Sequence, residues 1–108
     1  MDYARAASIY ARFRSSQLFE LKSDLIAAAV RYACIRVDWL LADAEKQRRI
    51  GEDRTPAHNA FIVTCDILSR NMTKHGEDGS WRTELGSDRK VIGDFACYLH
   101  CILGVSAR

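Results

Sequence analysis

Residues 18–45 read LFELKSDLIAAAVRYACIRVDWLLADAE, and this stretch decides the fold. Leu18, Leu21, Leu25, Ala28, Tyr32, Ile35, Trp39 and Ala42 alternate steps of three and four, which lines one face of a helix. A second apolar band of Phe19, Ile26, Val30, Ala33, Val37, Leu40 and Leu41 lies beside it. Only a narrow strip remains polar, carrying Glu20, Arg31, Asp38 and Glu45. A helix apolar almost all round is expected to be covered almost all round. In a chain of 108 residues that predicts a long central second helix, over residues 16–49, sheathed partly by another copy of the molecule.

Residues 1–50 hold neither glycine nor proline, and the chain as a whole has only six Gly and one Pro. Long helices and few hairpins follow. Tyr3, Ala6, Tyr10 and Phe13 mark a first helix capped by Asp2, with a phase slip at Ser15-Ser16 where the second helix starts. Basic residues followed by Gly51 predict the second helix's end. Thr55-Pro56 predicts the start of a third, running to Lys74 with Gly76 beyond it. Its apolar face is read as Ala57, Ala60, Phe61, Cys65, Ile67, Leu68 and Met72, and its exposed face includes His58 and Ser69. Residues 80–85 offer one short helical turn. A last helix, capped by Ser87 and ending near Gly104, turns Val91, Ile92, Phe95, Leu99, Ile102 and Leu103 inward. The fold class is all-α: a single domain over residues 1–108, a compact four- to five-helix bundle completed by homodimerisation.

Composition narrows the function classes. Hydrophobic residues make up 48% and charged residues 28%, the balance of a globular domain. The net charge of +2 gives no support to a nucleic-acid coat. No apolar run approaches the roughly 18 residues of a membrane span, and the N-terminus lacks the layout of a signal peptide. A cytoplasmic protein with no membrane or nucleic-acid partner is therefore expected. Its four cysteines would be reduced thiols.

Three residue sets could carry chemistry. Cys97, His100 and Cys101 could converge on zinc from the last helix, with His58, His75 or Cys65 as a distant fourth ligand. The competing reading is packing: Gly93, Cys97 and Cys101 place small side chains at every fourth position, letting another helix approach within the chain or across a dimer. Arg36, Asp43, Thr64 and Asn71 are polar groups among apolar ones. They form either a buried network that fixes register or a polar-lined cleft. Trp81, Arg82, Arg89 and Lys90 surround the loop and helix start over residues 74–90, where an anion or nucleotide could sit with Trp81 against its base. Ordinary capping by Ser87 and Asp88 competes with that reading. No Gly-x-Ser-x-Gly, His-Glu-x-x-His or Glu-x-x-Glu set supports catalysis.

The blocks His58-Asn59-Ala60-Phe61, Ser69-Arg70-Asn71-Met72, Asp88-Arg89-Lys90 and Gly93-Asp94-Phe95 resemble a small bacterial family of uncharacterised proteins. The likeness covers about half the chain. It implies a bacterial or phage origin and carries over no activity, cofactor or site. The expected function is a non-catalytic, homo-oligomeric protein-interaction module. The alternative is a protein that binds an anionic small molecule near residues 74–90.

Overall fold

The structure, a computed structural model, describes residues 3–104. Five α-helices follow one another: α1 (Tyr3–Phe13), α2 (Phe19–Leu41), α3 (Ala44–Lys74), the short α4 (Trp81–Leu85) and α5 (Arg89–Leu99). A π-helical turn, His100–Gly104, continues α5. There is no strand among the described residues. The proposed Asp2 cap lies outside them.

The helix break expected at Gly51 falls instead at Ala42-Asp43. Both residues are extended, with ψ of 154° and 172°. The Asp43 carboxylate then accepts the Lys46 N–H at 2.9 Å and caps α3. Thr55-Pro56 does not open a helix; α3 runs straight through both Gly51 and Pro56. Proline has no N–H, so the carbonyl of Glu52 loses its partner four residues on. That segment is exposed, so the carbonyl is open to solvent rather than stranded in the core. A two-residue link forces α2 and α3 into an antiparallel hairpin, the largest helix pairing in the molecule.

The hairpin is only half embedded. Buried residues of α2 stop at Ala33, and those of α3 begin at Ala57. The far end of the hairpin, residues 37–56, projects as an arm. At 1.5 Å per residue, a 31-residue helix spans about 46 Å, which matches the 48 Å long axis of the molecule.

The buried face of α3 is turned relative to the sequence reading. His58 and Ser69 point inward with Ala57, Phe61, Cys65, Leu68 and Met72, while Ala60 is exposed. Aromatic rings join the helices: Phe13 lies 4.6 Å from Trp81 and 6.2 Å from Phe95, and Phe61 lies 6.0 Å from Phe95, centroid to centroid. Trp81 is 0% exposed, and its indole N–H reaches Met72 Sδ at 3.3 Å.

Polar contacts hold α1 to the loop before α4. Arg12 reaches Asp78 and Glu84, each at 2.6 Å. Ser16 does not cap α2; its hydroxyl donates to the Glu77 carboxylate at 2.5 Å. Gly76, at φ +78°, closes α3: Glu77 N–H bonds to Met72 O and Gly76 N–H to Thr73 O. Gly79 presses on α3 so closely that a Cβ there would lie 2.2 Å from Ser69 O.

The second helix is central, yet its flank is open. Phe19, Val37, Leu40 and Leu41 are exposed, together with Glu20, Asp24, Arg31 and Asp38. The Gly93/Cys97 side of α5 is filled by this chain's own Arg36; a Cβ on Gly93 would lie 2.6 Å from Arg36 Nε. The accessible surface is 6444 Å². A monomer of this mass exposes about 6,100 Å², so the fold needs no second copy to reach an ordinary surface.

Candidate functional site

A cleft of about 270 Å³ opens where the arm meets α5. From α2 come Tyr32, Arg36, Trp39 and Leu40; from α3, Arg54; from α5, Arg89 and Lys90. Among the described residues, four cations and two aromatic rings line it, and no carboxylate does.

What matters is how those cations are held. Arg36 sits deepest. It pairs with Asp94 at 3.1 Å, and its Nη1 donates to Cys97 Sγ at 3.4 Å. Burial pulls its pKa down, but Cys97 and Asp94 outweigh that and raise it overall, so Arg36 stays charged and is largely neutralised by its partner. The Arg54 guanidinium lies 4.0 Å from the centre of the Trp39 ring, a cation–π contact. Trp39 is held in turn by Gln47, whose side-chain amide donates to the Trp39 carbonyl at 3.0 Å. Arg89 Nη2 donates to the Thr55 hydroxyl at 3.0 Å. Neither partner carries charge. Among the described residues, Arg54, Arg89 and Lys90 take part in no ion pair, unlike Arg12, Arg36, Arg49 and Arg82. A ring or a hydroxyl fixes an arginine without cancelling its field. The cleft therefore presents placed, uncompensated positive charge.

Tyr32 forms part of the wall, with His58 set edge-on at 5.3 Å behind it. His58 Nε2 is buried and has no hydrogen-bond partner among the described residues.

The four residues predicted around the loop separate into two pairs. Arg89 and Lys90 line the cleft. Trp81 does not: it belongs to the core, where it cannot stack on a ligand. Arg82 is tied to Asp66 at 2.7 Å and to the Gly86 carbonyl at 2.6 Å. Nor does the start of α5 offer free amides. Its cap is Asp88, not Ser87, and the carboxylate accepts from the N–H groups of Lys90 and Val91.

The polar set does not form one network. Only Arg36 reaches the cleft. Asp43 caps α3, Thr64 Oγ1 donates to Phe61 O at 2.6 Å, and Asn71 Nδ2 donates to Ile67 O at 2.8 Å. Thr64 and Asn71 thus satisfy themselves on their own helix. Cys97, His100 and Cys101 also diverge: Cys97 meets Arg36, His100 Nε2 lies 4.0 Å from Cys34 Sγ, and Cys101 is exposed. Among the described residues no three His, Cys, Asp or Glu side chains gather in a way that could hold a metal ion.

Sequence reading did not find Trp39 and Arg54 as partners. They are fifteen positions apart and meet only because the chain reverses at Ala42-Asp43. Two other depressions are less suited to an anion: one of about 210 Å³ between α1 and α5 includes Asp94, and an open trough beside Gly79 contains the Asp66–Arg82 pair.

No protein-family model, curated protein or solved structure matches this chain. Among the described residues no helix is long and apolar enough to cross a membrane.

Proposed function

We propose that this chain is a non-catalytic binding protein whose ligand is a small organic anion seated in the cleft between α2, α3 and α5. The observation that carries the reading is the pair of arginines fixed by neutral partners, Arg54 on Trp39 and Arg89 on Thr55. Groups held in place before binding lose little freedom when a ligand arrives. A cytoplasmic setting goes with this reading, since four free cysteines suit a reducing compartment.

The test is isothermal titration with a panel of organic phosphates, sulfates and carboxylates. At least one should bind. Arg89→Gln should weaken it by about 10- to 100-fold, the value of a hydrogen bond to a charged group. Failure of every anion in the panel refutes the proposal.

A second reading, a homo-oligomeric interaction module, draws on Val37, Leu40 and Leu41, which are 41%, 56% and 82% exposed on one face of the last turns of α2. Sedimentation equilibrium tests it. A self-association lost in Leu41→Glu supports it, and a monomer at micromolar concentration refutes it.

A further inference from the structure

We infer that the cleft selects a phosphomonoester in its dianionic form over any singly charged group of the same shape. This rests on the reading of the cleft as an anion site and names the anion's class.

The charge arithmetic points that way. Asp94 answers Arg36, which leaves Arg54, Arg89 and Lys90 outside any ion pair among the described residues. A carboxylate, a sulfate ester or a phosphodiester brings one negative charge to three cations. A phosphomonoester brings nearly two at neutral pH, because its second proton leaves near pH 6. It also brings three acceptor oxygens. Those suit two planar guanidinium forks and one ammonium, the side chains that recognise phosphate by geometry and by point charge respectively. Arg54 and Arg89 enter from different helices, yet Arg89 is bonded to Thr55, the neighbour of Arg54 in sequence. The Arg89 guanidinium is thus tied to the position next to Arg54, while the Arg54 guanidinium is held on the Trp39 ring of α2.

Size adds a second constraint. At roughly 30 Å³ of liquid volume per water molecule, the cleft holds about nine waters. That exceeds a bare phosphate and leaves room for an organic group. Tyr32, Trp39 and Leu40 supply apolar surface for it, so the expected ligand is a small ester with a ring or other compact apolar body.

The experiment compares phenyl phosphate with phenyl sulfate by calorimetric titration of the full chain at fixed ionic strength. The two probes share a shape. Phenyl sulfate keeps one charge at every pH used, whereas phenyl phosphate passes from one to two. Around the cleft the titratable groups are Asp88, Asp94, Cys97, Tyr32 and His58, beside the cations Arg36, Arg54, Arg89 and Lys90. The sulfate measures any change in these groups, because it meets the same protein. At about pH 7.5 the phosphate should bind at least tenfold more tightly than the sulfate; at about pH 5, where about a tenth of the ester keeps its second charge, that ratio should fall about five- to tenfold. Lys90→Gln, an exposed position, should reduce the neutral-pH preference about tenfold while sulfate binding changes far less. Equal affinity for the two probes at neutral pH overturns this inference and leaves the anion site standing. A preference that persists unchanged at the lower pH overturns it as well. If neither probe, nor any other anion of the panel, binds, the anion site itself is refuted. If inorganic phosphate binds as tightly as phenyl phosphate, the organic body contributes nothing and that part of the inference fails.

Discussion

Replacing Trp81 by alanine tests the core and the corrected position of this ring together. Trp81 is fully buried between Phe13 and Met72. A tryptophan side chain removes roughly 150–250 Å² from water, which at about 25 cal/mol per Å² corresponds to about 4–6 kcal/mol. Alanine keeps its own small share and the site collapses in part, so a loss of about 3–5 kcal/mol is expected. A domain of this length has about 5–15 kcal/mol in all. Trp81→Ala should therefore remove between about a fifth and nearly all of the stability. Urea unfolding followed by far-ultraviolet circular dichroism measures it. With a slope near 1–3 kcal/mol per M, the midpoint should drop by about 1 M or more. Trp81→Phe keeps most of the ring and should cost about 1–2 kcal/mol, through the lost volume and the lost N–H···S contact. A loss below about 1 kcal/mol for Trp81→Ala, at an unchanged slope, refutes the buried position. The ring would then be free to meet a ligand, as the sequence suggests.

Three further outcomes are expected. Hydrogen bonds from Ser80 and then Arg12 hold the Asp78 carboxyl at about 2, and bonds from Ser16 and Gln17 lower that of Glu77. Folded values below the unfolded ones stabilise the protein above the ordinary carboxylate range, and that stabilisation fades as pH falls toward the folded values. The melting temperature should thus drop below about pH 4 in the wild type and less so in Glu77→Gln/Asp78→Asn; parallel profiles refute the straps. Burial pushes the Cys65 thiol up to about 12, so a maleimide at neutral pH should label exposed Cys101 first and reach Cys65 only on unfolding. Peptide mapping reads the order, and early modification of Cys65 contradicts it. Gly79→Ala places a methyl 2.2 Å from the Ser69 carbonyl oxygen; because backbone must shift, the loss should be about 1–3 kcal/mol by urea unfolding, against near neutrality if the loop stands clear of α3.

The all-helical class, the end of α3 before Gly76 and the end of α4 at Gly86 follow closely from the sequence, whereas α5 is capped by Asp88 rather than Ser87 and gives way to a π turn at His100. The arm is where the sequence misleads. Gly51 and Pro56 are the strongest breakers in their region, yet both lie inside α3, because an exposed helix leaves a freed carbonyl to water. The real break uses quieter chemistry, two extended residues and an Asp cap. Expecting it at Gly51 instead of Ala42-Asp43 separates Trp39 from Arg54 and hides half of the cleft. Trp81 misleads for the opposite reason. Its neighbours in sequence are polar, and only the docking of α1 encloses it. Arg89 and Lys90 are legible because they begin α5. Arg36 stands out as a charge on an apolar helix, but its partner Asp94 comes from a distant segment that no local pattern links to it.

Pro56 divides α3 into two lengths with different fates. Beyond it, side chains lock into the interior. Before it, the helix leans on α2 and, at Thr55 only, on Arg89 of α5, one backbone bond short at the junction. Amide hydrogens of residues 44–55 should therefore exchange with deuterium well ahead of those of residues 57–74, through openings that leave the rest of the molecule closed. The cleft straddles that seam, with Arg54 on the looser side and Arg89 on the firmer one. An occupant touching both would act as a rivet. Slower exchange along residues 44–55 would reveal its presence even where it altered no average shape.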